Sequence, residues 1–487
     1  MSLHLYDSHS QSTRAFQPLI PGQVGIYLCG PTVQSEPHVG HLRSALVYDQ
    51  LRRWLTAKGL QVTLVRNVTD IDDKVLANAV LRGQQWWALA YQMELEFNAA
   101  YRTLKIAPPT YEPRATASIP EMLALIERLI AAGYAYQATD GSADVYFAAS
   151  KWAAYGELTN QKIDDMAEAA DADPSSAIGK GKQDPRDFTL WKAAKPGEPE
   201  SATWQTRFGA GRPGWHIECS AMSTKYLGSA FDIHGGGLDL RFPHHENELA
   251  QSRAAGDAFA NFWLHNGLVN VNGQKMSKSL GNSIFAADLL EFGAPLAIRY
   301  WLGSAHYRSV LDYNDGVIAE AQSALDRIGG FLERGYRLLA GSADAPQQVI
   351  GEVLASVYST LPAEFIAAMD DDLNIPMALA AVYEAVRAGN SALDSNQYEA
   401  AGVHIIAVRG MLAVLGIDPL APEWAEQGAN PAEHQALDSL IQALIAERNE
   451  ARANKDFARA DEIRNQLTQA GIALSDSTAS THWSVNG

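Results

Sequence analysis

Two strand-like runs separated by one amphipathic helix decide most of what the N-terminal half of this chain can become. Val24-Gly25-Ile26-Tyr27-Leu28 is apolar and short, the mark of a buried strand, and ends in a sharp turn at Cys29-Gly30-Pro31-Thr32. A polar loop leads to His38-Val39-Gly40-His41. Beyond it Leu42, Ala45, Leu46, Leu51, Trp54 and Leu55 fall largely on one helical face, and Gly59 supplies a C-terminal stop. Gln61 to Val65 is strand-like again and runs into Arg66-Asn67-Val68-Thr69-Asp70-Ile71-Asp72-Asp73. Strand, helix and strand within ~40 residues form a βαβ unit, hence a parallel sheet. Sheets of this kind bind ligands at the carboxyl ends of their strands, where Cys29 and Asp70 both fall.

A second stretch, Phe231 to Glu248, concentrates chemistry. Phe231-Asp232-Ile233 reads as a strand that breaks at His234 into Gly235, Gly236 and Gly237, residues that let a backbone lie close to a bound group. Pro243 suits the first position of a helix. His244 and Glu248, four residues apart, would then share a helical face and reach one ion. A glycine turn before an ordinary polar helix would look the same. The two cysteines of the chain, Cys29 and Cys219, tip the balance toward a metal, although a lone cysteine is more often a small buried hydrophobe.

Composition excludes several classes. With 487 residues, 47% hydrophobic and 19% charged, the chain is globular and long enough for about three domains. Two cysteines cannot make a disulfide framework. The first residues lack a basic segment followed by an apolar core, and no apolar run approaches the ~18 residues that span a bilayer, so a cytoplasmic protein without a membrane partner is expected. The net charge of −18 argues against indiscriminate nucleic-acid binding but leaves room for a local basic groove.

His38 and His41 stand where the first helix begins. Unpaired amides and the helix dipole make such an end a phosphate site, and two imidazoles would add donors; capping or solvated histidines are the plainer reading. Gln274-Lys275-Met276-Ser277-Lys278-Ser279-Leu280-Gly281-Asn282 follows the alternating run Leu268 to Gly273, so it is expected as a cationic loop after a strand or hairpin, suited to a polyphosphate. Trp86, Trp87, Leu89, Tyr91 and Met93 read as a buried core helix, 171–187 as a polar loop, and 285–415 as a helical bundle that Pro362 kinks or restarts. In the tail, Arg448, Arg452, Lys455, Arg459 and Arg464 recur along a helix, followed by a short strand from Gly471 to Leu474 and by Trp483.

His38-Val39-Gly40-His41 with Lys275 to Ser279 beyond a split Rossmann domain resembles the signature pair of class I aminoacyl-tRNA synthetases. Within that class, Cys29 to Val33, Asn67 to Lys74, Gly211 to Met222 and Phe231 to Glu248 resemble the cysteinyl-tRNA synthetase family, and the likeness spans essentially the whole chain. The resemblance implies an α/β fold: a Rossmann-type parallel-sheet catalytic domain (1–110 and 206–267) split by a connective insertion (111–205). A KMSKS-loop connecting region (268–320), a helical bundle (321–418) and a C-terminal anticodon-binding domain (423–487) would follow.

It also implies one zinc ion on Cys29, Cys219, His244 and Glu248, all acceptable zinc ligands. His245 and Glu246 lie about 100° and 200° round the helix from His244, so neither is expected on its face. Cysteine would be held at Cys29, Thr32, Trp215 and His234. ATP, with Mg²⁺, would be bound by His38, Gly40, His41, Gly236, Gly237, Asp239, Lys275, Ser277, Lys278 and Ser279, with His38, His41, Lys275 and Lys278 the catalytic set. The expected activity is ligation of L-cysteine to tRNA(Cys) through cysteinyl-adenylate, by a monomer with no editing domain. Two alternatives remain: a ligase joining cysteine to an amino-sugar, which should lack the tail, and a non-catalytic tRNA-binding paralogue, which should have eroded motifs.

Overall fold

In a computed structural model, which describes residues 2–163, 181–276, 281–339, 357–425, 431–476 and 481–485, the expected first unit is present. It comprises strand β1 (Gln23–Leu28), helix α1 (Val39–Ala57) and strand β2 (Gln61–Arg66). Leu42, Ala45, Leu46, Leu51, Trp54 and Leu55 are all buried. Gly59, at φ +83°, takes the left-handed conformation that costs glycine nothing and turns the chain into β2. A second unit comprises helix α2 (Trp215–Leu227), strand β3 (Ala230–Gly237), helix α3 (Glu246–Ala254) and strand β4 (Phe259–Asn266).

The four strands form one parallel sheet in the order β4-β3-β1-β2. From β1 the chain crosses outward to β2, and from β3 outward the other way to β4. The order therefore reverses between β1 and β3, and the crevice above their carboxyl ends is a topological switch point. Register aligns the ends: Leu28 lies opposite both Gly235 and Arg66, and Gly235 opposite Leu264. Cys29, Asn67, Gly236 and His265 consequently emerge along one edge.

Between β2 and α2 the chain builds helices and a five-stranded antiparallel sheet, ordered Ala135–Gln137, Val145–Phe147, Phe188–Ala193, Gly209–Pro213, Trp204–Thr206. The parallel sheet is thus split in sequence, as expected. The aromatic segment corrects one expectation. Helix Trp86–Thr103 buries Trp86, Leu89 and Met93, but Trp87 and Tyr91 are 56% and 55% exposed, because 100° per residue carries them to the opposite face. Most of the polar loop expected at 171–187 lies outside the described residues.

After β4 come the hairpin Val269–Val271/Gln274–Lys275 and the helices Pro295–Ser304, Val317–Leu339, Ala363–Asp370, Ile375–Asp394 and Tyr398–Leu415. Pro362 is the N-cap of Ala363–Asp370, so it restarts the helix. Among the described residues one helix, Tyr398–Leu415, is long and apolar enough to cross a bilayer by length and composition; 56% of it is buried within the protein.

The chain divides into two compact units, Met1–Ala421 and Pro422–Gly487. The second packs helices Pro431–Ala453 and Phe457–Gln469 and the hairpin Ile472–Asp476/Thr481–Val485 around Ile441, Ile445, Ile463, Leu467 and Ile472. Its arginines do not form one free face. Arg448 is only 4% exposed, and Arg459 is paired with Glu447 and Glu462.

Candidate active site

Four buried donors from three parts of the chain meet at the switch point. Cys29 follows β1, Cys219 lies in α2, and His244 and Glu248 belong to the chain entering α3; one ligand atom from each lies within 4.8 Å of all the others. Cys29 Sγ stands 3.7 Å from Cys219 Sγ and 3.3 Å from Glu248 Oε1, and His244 Nε2 is 3.0 Å from the same oxygen. A tetrahedral ion with bonds of ~2.0–2.3 Å sets its ligands roughly 3.3–3.8 Å apart. The donor set fits such an ion closely, and its two sulfurs and one imidazole favour a borderline-soft metal.

Electrostatics prepare these groups. Burial opposes ionisation of Glu248, but His234 and His244 outweigh it and hold the carboxyl well below the usual range. Burial likewise disfavours charge on His244, yet Glu248 and Cys219 push the imidazole up to about 10. Cys219 is brought down to about 6, against its burial, by Cys29 and then His244, while burial and Cys219 hold Cys29 well above an ordinary thiol. The supporting residues are equally specific. His216 Nδ1 lies 2.9 Å from His244 Nδ1, so with His244 Nε2 turned to the ligand set, its Nδ1–H donates to His216. His234 Nε2 bonds Glu248 Oε2 at 2.8 Å, and Cys219 Sγ lies 3.6 Å from Asn67 Oδ1.

A cavity of about 410 Å³ opens from this cluster toward α1. Leu28, Cys29, Thr32, His38, Gly40, His41, Trp215, Gly237, Asp239 and Lys275 all line it. Trp215 stacks on His244 with ring centroids 4.1 Å apart. At the other end the His38 and His41 rings stack at 3.7 Å. His38 Nδ1 accepts the Gly40 amide and His41 Nδ1 accepts the His38 amide, each at 3.2 Å. The pair therefore does cap the helix. In the neutral rings this assigns the proton to Nε2, so capping and donation to an anion are one arrangement. Lys275 lies in the hairpin's second strand; Ser277, Lys278 and Ser279 lie outside the described residues.

Several features were not anticipated. Phe242 is extended (φ −140°, ψ 133°), and the chain turns helical at Pro243, as expected, in a π-type turn that runs on into α3. His245 was not expected at the cluster: three residues before Glu248, it lies about 60° from it round the helix, turns inward, and with Cys29, His234 and Glu248 forms a second donor group within 4.8 Å. Its Nδ1 bonds His265 Nε2, and His265 Nδ1 bonds Ser8 Oγ, each at 2.8 Å. Glu246 does point elsewhere, accepting from Gly156 and Thr159 of the insertion. The glycines are also more constrained than a ligand-facing loop requires. A Cβ at Gly235 would fall inside the Tyr48 ring, and one at Gly236 would sit 2.8 Å from His245. His216, His265 and Tyr48 carry no spacing signal, since each reaches the site through a partner distant in sequence: His244, His245 and Gly236.

The catalytic unit's architecture is that of class I aminoacyl-tRNA synthetases. It is similar to a Mycobacterium tuberculosis methionyl-tRNA synthetase in complex with methionyl-adenylate (TM-score 0.57, 16% identity, 84% of this chain and 95% of that one). An Agrobacterium radiobacter LeuRS–tRNA–LeuAMS ternary complex is comparable (TM-score 0.57, 13% identity, 85% and 86%). Residues 15–323 match the family described as tRNA synthetases class I (C) catalytic domain, 364–419 a DALR domain, and 434–483 the cysteinyl-tRNA ligase anticodon binding domain. Proteins named cysteine–tRNA ligase are 61% identical in Clavibacter sepedonicus and 59% in Leifsonia xyli, over all of both chains, and 53% in Micrococcus luteus, over 99% of both. The chain belongs to the cysteine–tRNA ligase family.

Proposed function

We propose that this chain activates L-cysteine with ATP and transfers it to the 3′-terminal ribose of tRNA(Cys). The observation that carries the reading is the buried Cys29–Cys219–His244–Glu248 cluster at one end of a cavity whose other end is the stacked His38–His41 pair. In the first step a carboxylate oxygen of cysteine attacks the α-phosphorus of ATP and pyrophosphate departs. In the second a terminal ribose hydroxyl attacks the carbonyl carbon and AMP departs. No protein nucleophile is involved; the protein positions the reactants and stabilises charge. His38 and His41 donate from Nε2 to the phosphates, with Gly40 alongside. Lys275 and Lys278, with Ser277 and Ser279, hold the departing pyrophosphate, and Mg²⁺ accompanies ATP. Gly236 and Gly237 carry the adenosine, and Asp239 accepts from its ribose.

Cys29, Cys219, His244 and Glu248 would hold a zinc ion, and bound zinc supplies a soft Lewis-acid site that prefers thiolate to hydroxyl. Pocket shape alone separates cysteine from serine by only ~10–200-fold, so this preference would carry the selectivity. Trp215 and Thr32 wall the amino-acid end, and His234 holds Glu248 in place. The site is assembled within one chain, which suits a cytoplasmic monomer, and the segments 1–110, 111–205, 206–267, 268–320, 321–418 and 423–487 are its working parts.

The test is cysteine-dependent ATP–pyrophosphate exchange followed by charging of tRNA(Cys). Exchange without charging would favour the amino-sugar ligase, and absence of both the non-catalytic paralogue. The match of residues 434–483 to an anticodon binding domain supports the tRNA reading.

A further inference from the structure

The hydroxyl of Tyr48 spans two strands directly beneath the cavity. Tyr48 lies on α1, ten residues after His38, and is 1% exposed. Its oxygen accepts the Gly236 amide at 2.7 Å, and its O–H donates to the Leu264 carbonyl at 2.7 Å. Its ring occupies the space that a side chain at position 235 would need. One side chain therefore ties the helix that bears the histidine pair to the carboxyl ends of both β3 and β4. One turn earlier on the same face, Ser44 Oγ donates to Asn266 Oδ1 at 3.0 Å, at the last residue of β4. Gly237 and Asp239 follow Gly236 directly on the cavity wall.

We propose that Tyr48 is a positioning residue for ATP: its hydroxyl fixes the span between the phosphate-binding histidines on α1 and the adenosine-binding end of β3. This rests on the reading of the cavity as the ATP site. Tyr48 does not line the cavity, so it acts only through Gly236 and the strand end. The metal cluster is held by side-chain contacts from His216, His234 and Asn67, none of which involves the Tyr48 hydroxyl.

The test is Tyr48→Phe, which keeps the ring packed on Gly235 and removes one hydroxyl. In pyrophosphate exchange the KM for ATP should rise about three- to tenfold, the effect of the hydrogen bond to Gly236, which of the two lost is the one on the adenosine-binding strand. The KM for cysteine and the bound zinc should stay within about twofold of wild type. Combined with Asp239→Asn, the two effects on ATP should fall short of additive, since both act on the ribose end. Unchanged ATP kinetics with a lowered melting temperature would make Tyr48 merely structural and overturn the proposal. A joint shift of both KM values, or strict additivity with Asp239→Asn, would overturn it as well. Should Tyr48→Phe not fold, Ser44→Ala reads the same strand ends, and an unchanged ATP KM there counts against the proposal. Absence of cysteine-dependent exchange in the wild type would instead remove the underlying reading.

Discussion

Each ligand-set residue is held at a definite protonation state by its neighbours, and that makes the residue scale testable. Near neutral pH Glu248 and Cys219 are largely ionised, while Cys29 keeps its thiol proton and His244 is an imidazolium. Ligation needs two thiolates, a neutral imidazole and a carboxylate. Binding of zinc to the metal-free protein should therefore release close to two protons, one from Cys29 and one from His244. Calorimetry in buffers of different ionisation enthalpy measures this number, and a value near zero would contradict the ligand set. Because protons compete for the same groups, affinity should rise with pH through about 10, where His244 loses its proton unaided, and beyond it while Cys29 keeps its own. Cys219→Ser removes one soft donor and should weaken zinc binding by at least tenfold, with a parallel loss of discrimination against serine. Metal analysis with exchange assays on both amino acids would check it; intact discrimination would refute the sieve.

At the scale of elements, α1 does more than present two histidines. Beyond Tyr48 its Asp49 is buried and bonds Arg299, Arg53 and the Ala107 amide, joining the first strand unit to helix Pro295–Ser304. Burial raises the carboxyl's pKa, but Arg53 and Arg299 outweigh it and the net shift is downward. A depressed folded-state value contributes stability that is complete above the unfolded value of ~3.9 and is lost as pH falls below it. Asp49→Asn leaves the fully buried Arg299 without its counter-charge and should cost about 3–5 kcal/mol. Denaturant melts at pH 7 and near pH 3 would show the wild type converging on the variant in acid; a pH-independent gap would exclude the ion pair as its cause.

These elements also show where legibility ended. Strand, helix and strand were readable because apolar period and turn residues act locally, and the His38–His41 pair because it marks a helix start. His245 escapes a wheel measured from His244 alone, because it stands three residues before Glu248 and about 60° from it, close enough to share that residue's face. Trp87 and Tyr91 were placed in the core because aromatic content was read without its phase. His216, His265 and Tyr48 serve the site through contacts with residues far away in sequence, which no local pattern records.

For the whole molecule, the division into two units separates the two proposed steps. The core containing the parallel sheet and the cluster around Ile441, Ile445, Ile463, Leu467 and Ile472 share no buried residue. Every described residue of the proposed zinc, cysteine and ATP sites lies before Ala421, in the first unit. Amino-acid activation needs only that unit, whereas selection of tRNA needs surfaces that recognise unpaired bases, the work expected of residues 434–483. A chain ending at Ala421 should keep pyrophosphate exchange within about threefold of wild type, inside the spread usual for removing an independent domain. Its kcat/KM for charging tRNA(Cys) should fall by at least a hundredfold, the effect of losing two or more base contacts at about 1–3 kcal/mol each. Equal losses in both assays would mean that the second unit supports the fold of the first, and undiminished charging would assign anticodon recognition to the helical bundle.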